Sequence, residues 1–199
     1  QSGRTTSEWF MNVEEYLQDL AEKRRALSKE LSKESDRGCA LYAVSYIESA
    51  LSDLLSCTLA SDKKIEKDLF EGTAPLSTFS AKINMAYYLG KISKAEKTDL
   101  NIIKKIRNQF AHVAAPMTFE SGKIPDQCKG LFLSYHSPSG TPREHFTATI
   151  FGLLARINIE TLKCEAPDIK ADDTPSKEDK EKFRSSIEER VKEQFENGA

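Results

Sequence analysis

The stretch from Ser93 to His112, SKAEKTDLNIIKKIRNQFAH, places Leu100, Ile103, Ile106 and Phe110 at three-and-four spacing, which lines one face of an α-helix. Its start is marked too, because Ser93 followed three residues later by Glu96 matches a capping box, in which each side chain satisfies a backbone N–H of the other. Pro116 forbids easy continuation beyond about Val113, since proline lacks the N–H and clashes with the preceding turn. One long helix with a single apolar face requires other helices to cover it, so the stretch predicts a helical bundle.

Working outward, the same periodicity predicts more helices. Upstream, a helix over about Ser77–Gly90 buries Phe79, Ile83, Ala86 and Tyr87, and glycine ends it. Before it, Asp36 can cap a helix running to about Leu59 with Leu41, Val44, Ile47, Leu51, Leu54 and Leu55 inward. A first helix over Ser7–Ser32 carries Trp9, Val13, Tyr16, Leu17, Leu20, Leu27 and Leu31. The charged segment Lys63–Pro75 reads as a connection. Downstream, residues 116–144 hold prolines and glycines among short polar runs and read as a long ordered loop. A fifth helix over Arg143–Leu162 places Phe146, Ile150, Leu153, Leu154 and Ile157 on one side and closes the bundle.

The tail is of another kind. Glu165–Ser176 is acidic, contains Pro167 and Pro175, and reads as a linker. Beyond it, Phe183, Ile187, Val191 and Phe195 recur every four residues in a highly charged helix, a stripe too narrow for a core but wide enough to dock. The expected organisation is therefore a bundle domain over 1–164, a linker over 165–176 and a charged helix over 177–199.

Composition narrows the function. The 29 Lys and Arg nearly cancel the 31 Asp and Glu, for a formal net charge of -2, so no global field holds nucleic acid and any such contact needs a local patch. No apolar run is long enough to span a membrane, and QSGRTTSEWF lacks the apolar centre of a secretory signal. A cytoplasmic protein is expected. Cys39, Cys57, Cys128 and Cys164 lie far apart without metal-ligand spacing, so free thiols, no metal and no cofactor are expected. His136 and His145 read as ordinary surface residues.

Chemistry concentrates at Arg107-Asn108-Gln109-Phe110-Ala111-His112, where a guanidinium, an amide and an imidazole crowd the end of one helix. Arginine can clamp a phosphate and histidine can pass a proton near neutral pH, which together suffice for metal-free RNA cleavage. Arg107 and His112 stand about 140° apart around the axis, whereas Asn108 and His112 stack, so joint action on one phosphate needs a distorted turn or a second copy in a homodimer. Both cations also suit a helix C-terminus as plain terminal charges. Glu48 lies at the edge of an apolar face and needs a partner. Arg37 and Arg107 are the candidates, either in a bridge tying helices together or in support of a functional Arg107.

The pattern R-N-x-x-A-H resembles the signature of the HEPN superfamily, helical bundles that are often dimeric. The resemblance implies catalytic roles for Arg107 and His112 with Asn108 supporting them, and a metal-independent endoribonuclease. Asp36-Arg37-Gly38-Cys39-Ala40-Leu41, Pro75-Leu76-Ser77-Thr78-Phe79-Ser80-Ala81-Lys82-Ile83 and Tyr88-Leu89-Gly90, taken with the same motif, resemble the mannitol operon repressor family. That resemblance spans about two-fifths of the chain and implies an all-helical regulator. With no DNA-reading motif in the sequence, such a regulator is expected to bind a protein or RNA partner rather than DNA.

Overall fold

The computed structural model describes the backbone of residues 6–112, 114–134 and 139–196, and side chains from residue 18 to 194 within those limits. The side chains of Trp9, Val13, Tyr16, Leu17 and Phe195, together with Val113 and His136, lie outside the described residues. Eight helices and no strand occur among the described residues: α1 (Thr6–Lys33), α2 (Asp36–Thr58), α3 (Lys63–Phe70), α4 (Phe79–Tyr88), α5 (Lys94–His112), α6 (Ile124–Lys129), α7 (Pro142–Leu162) and α8 (Lys177–Glu196).

The chain divides into two compact units after Pro167. In the first, α2 is central and packs on α1, α4, α5 and α7. It buries Cys39, Ala40, Ala43, Val44, Ile47, Ala50, Leu51, Leu54 and Leu55, a stripe whose alanines let neighbouring helices approach closely. Leu41 is only half-buried. α5 adds Leu100, Ile103, Ile106 and Phe110, all fully buried, and α7 adds Phe146, Ile150, Leu153 and Ile157. A row of rings joins them, with Phe119 5.1 Å from both Phe110 and Phe146 between centroids.

Caps explain most boundaries. Ser93 Oγ accepts from Glu96 N at 3.2 Å while Glu96 accepts from Ser93 N, and Thr141 with Glu144 forms the same box before Pro142. Gly90, at φ 70°, closes α4 in the left-handed region that other residues avoid. At α2 the cap differs from expectation: Ser35 accepts from Gly38 N at 3.1 Å, which leaves the Asp36 carboxylate for another task. Asp36 accepts from Arg143 Nη1 at 2.7 Å and from Phe119 N at 2.8 Å. Arg143 Nη2 donates in turn to the Leu31 and Glu34 carbonyls at 2.7 and 2.8 Å. One guanidinium thus holds the end of α1, the start of α2 and the start of α7, and the shared carboxylate adds the chain that follows α5.

Four further expectations change. Lys63–Pro75 is not merely a connection, because Asp62 caps α3 by accepting from Lys64 N and Ile65 N. The loop after α5 contains α6, which buries Ile124 and Cys128. Tyr87 is exposed and Lys82 takes the inward place on α4, since Glu48 receives its ammonium at 3.1 Å and the Tyr87 ring turns out beneath Lys97, 4.3 Å away. His145 is likewise buried rather than superficial, 2.7 Å from Ser134 Oγ.

In the second unit, Ser176 and Asp179 form the N-terminal box of α8. Phe183, Ile187 and Val191 are exposed there.

Removing the carboxylate that Arg143 needs strands a half-buried cation, so Asp36→Ala is expected to cost about 2 kcal/mol in urea unfolding, while Lys163→Ala, in an open pair with Glu160, stays within about 0.5 kcal/mol. Glu96 titrates favourably: burial pushes its carboxyl up, but the Ser93 N–H and the Arg156 guanidinium outweigh this and hold it below its ordinary value of 4.5. The folded state then binds fewer protons than the unfolded chain just below that value, so this stabilisation is complete above it and fades as pH falls through the folded pKa. Unfolding of Glu96→Gln from pH 7 to 3 is expected to show a shallower acid-side loss than the wild type.

Candidate functional site

The last turn of α5 is regular through His112, and this decides where its side chains go. Phe110 points inward. Arg107 and Asn108 are half-buried and His112 is exposed. Arg107 Nη1 donates to Asn108 Oδ1 at 3.2 Å, so the amide holds the guanidinium on one side and lies one turn below the imidazole on the other. Regular geometry keeps Arg107 and His112 about 140° apart. Within one chain the structure therefore joins Arg107 to Asn108 and leaves His112 on the next face.

What surrounds this turn was only partly foreseeable. Arg37 Nη2 donates to the Ala115 carbonyl at 2.9 Å, steering the chain away three residues after His112. Gln109 Nε2 donates to Gln127 Oε1 at 2.7 Å and seats α6 beside the motif. Glu48 does not meet either candidate arginine. Its carboxylate belongs to Lys82, a bridge from α2 to α4 that acts on packing. The missed residues are Asp99, Gln127 and Arg143. Asp99 is buried on α5 and accepts from Phe132 N and Leu133 N at 3.0 and 2.8 Å. Burial raises its pKa against those two bonds. A lone aspartate inside an apolar stripe was the available signal for it.

The motif sets a half-buried guanidinium and amide beside an exposed imidazole, a set whose chemistry suits an anion, and both carboxylates of α5 are buried. Among the described residues no group of three or more His, Cys, Asp or Glu side chains is placed to hold a metal ion, and Cys39, Cys57, Cys128 and Cys164 are free thiols. None of the described helices is long and apolar enough to cross a membrane.

A second feature lies on the opposite flank of α2. Leu20, Leu27, Tyr46, Ala50, Leu154 and Ile159 line a mainly apolar groove of about 670 Å³ between α1, α2 and α7. Arg24 lies over the Phe151 ring at its edge, 5.5 Å from the centroid. A groove of this size suits a helix or loop presented by another protein.

Neither protein-family profiles nor curated proteins match the chain. Among solved structures, the fold is similar to a chain of the MtlR–HPr complex from Escherichia coli, with a TM-score of 0.57, 18% identity, and coverage of 67% of this chain and 97% of that one. The likeness places the chain in the class of all-helical bundles with an MtlR-like fold.

Because Arg107 and Asn108 bond each other and His112 is exposed, alanine at each is expected to cost no more than about 1 kcal/mol of unfolding free energy, checked by thermal and urea melts.

Proposed function

We propose that this protein is a regulatory helical module that works by forming a complex with a protein partner, through the groove between α1, α2 and α7. The observation that carries the reading is the likeness to the chain from the MtlR–HPr complex, nearly all of which is matched. In that complex the matched fold is found together with HPr, so HPr is the first partner to try. The groove supports the reading because it is concave and mainly apolar, with Lys23, Arg24 and Asp53 as charged residues in its lining, the mix of an apolar centre and a few polar groups that binding surfaces use. Direct DNA reading has less support, since the net charge is -2 and no helix–turn–helix signature was found.

The test is a comparison of wild type with Ala155→Arg, which fills the groove from an exposed position on α7. Purified HPr and proteins retained from host extract are each titrated by calorimetry. One-to-one binding that falls at least tenfold in the variant, with its melting temperature unchanged, is expected. Equal binding by both forms rules out the groove.

One observation favours a second reading, a metal-independent endoribonuclease: Asn108 holds the Arg107 guanidinium in the last turn of α5, one turn below the exposed His112. In that reading Arg107 clamps the phosphate and His112 transfers the proton, with the partner protomer of a homodimer supplying the missing geometry. The first reading predicts that RNA incubated with the protein in EDTA stays intact. Cleavage lost in both Arg107→Ala and His112→Ala, together with a dimer mass by light scattering, would favour the second.

A further inference from the structure

Residues 72–119 carry six lysines and Arg107 against only two acids, Glu96 and Asp99, in a chain whose overall charge is slightly negative, and of those lysines Lys82 alone is buried, in its bridge to Glu48. The fold removes both acids from the surface. Glu96 is 6% exposed and Asp99 is 0% exposed, one spent on Ser93 and Arg156 and the other on the Phe132 and Leu133 amides. At 100° per residue, Lys94, Lys97, Asn101, Lys105, Asn108 and His112 fall within about 80° of one another on the outer face of α5. They form a ridge about 27 Å long from cation to imidazole. Lys104 borders it and donates to Ser80 Oγ at 2.9 Å, so α4 lies alongside. There Tyr88 is 88% exposed.

The geometry points to the α4–α5 face as a binding surface for single-stranded RNA. A line of cations with no carboxylate on the same face matches a phosphate backbone, which concentrates charge along a track. The open Tyr88 ring offers a base a stacking surface, as such tracks do. Asn101 gives its amide N–H to the Lys97 carbonyl, which leaves its oxygen turned to accept from a ribose 2′-hydroxyl, the group that separates RNA from DNA. An acidic polypeptide would satisfy the lysines but would use neither the ring nor the amide. The surface is distinct from the α1–α2–α7 groove, and although it ends on Asn108 and His112, which the second reading also uses, it binds through Lys94, Lys97, Lys105 and Tyr88 and requires no cleavage.

The test is fluorescence anisotropy of the full chain with an unstructured, labelled 15-nucleotide RNA in EDTA, at several salt concentrations. Saturable binding is expected, with log K falling against log salt at a slope of about -2 to -3. Lys97→Ala with Lys105→Ala should reduce the slope by about 1, and Tyr88→Ala should weaken binding about tenfold while leaving the slope unchanged. Lys180→Ala on α8 should change neither. No saturable binding at 50 mM salt would overturn the proposal. So would equal affinity for DNA of the same sequence, displacement of the RNA by polyglutamate of equal charge, or folded α4–α5 variants that bind like wild type.

Discussion

Everything in the first unit hangs on where the Arg143 guanidinium sits. It reaches Asp36 and two carbonyls at the end of α1, and Asp36 uses its other oxygen on Phe119 N. Three helix termini and the segment leaving α5 meet at this one ion pair, where helix ends would otherwise leave carbonyls and amides without partners. Charge-assisted bonds are short and directional, so they fix angles that apolar packing alone leaves soft. With the segment fixed, Phe119 is delivered between Phe110 and Phe146, and burial of these rings supplies the bulk of the local stabilisation. The ion pair chooses the geometry and the rings make it stable.

From that constraint follows the placement of the chemistry. Phe110 must turn inward to meet Phe119, and a regular helix then turns Asn108 and His112 outward. Arg37 continues the work by holding the Ala115 carbonyl. The same rotation buries Glu96 and Asp99, leaves Lys94 and Lys105 exposed, and sets the half-buried Lys97 and Lys104 against Tyr87 and Ser80 of α4. Two surfaces of opposite character result: an apolar groove against α1 and a cationic face along α5, bordered by α4.

Much of the fold was legible from spacing. The long helices α1, α2, α5 and α7 were readable because each repeats its apolar positions over several turns, and the start of α5 and the end of α4 because Ser93 with Glu96 and Gly90 are recognisable caps. α3 and α6 were not, since helices of eight and six residues offer too few repeats. The swap at α2, where Ser35 caps and Asp36 reaches across the molecule, was hidden for a different reason. Either residue is a good cap, and only the arrival of Arg143 from more than a hundred positions away decides between them. Glu48 shows the same limit: its need for a cation could be read locally, but Lys82 as the answer depends on how α4 packs. The motif Arg107–His112 could be located from sequence, whereas the split between its half-buried and exposed members depends on tertiary packing.

Native-state hydrogen exchange, followed by mass spectrometry, tests most directly whether the Arg143–Asp36 pair sets the path of the chain after α5. In the wild type the Phe119 amide should exchange only on near-global opening, and in Asp36→Ala its protection should fall selectively, together with that of residues 31–36, while α5 from Leu100 to Ile106 stays protected. Uniform loss of protection across the bundle, or a Phe119 amide that exchanges freely in the wild type, would contradict the account.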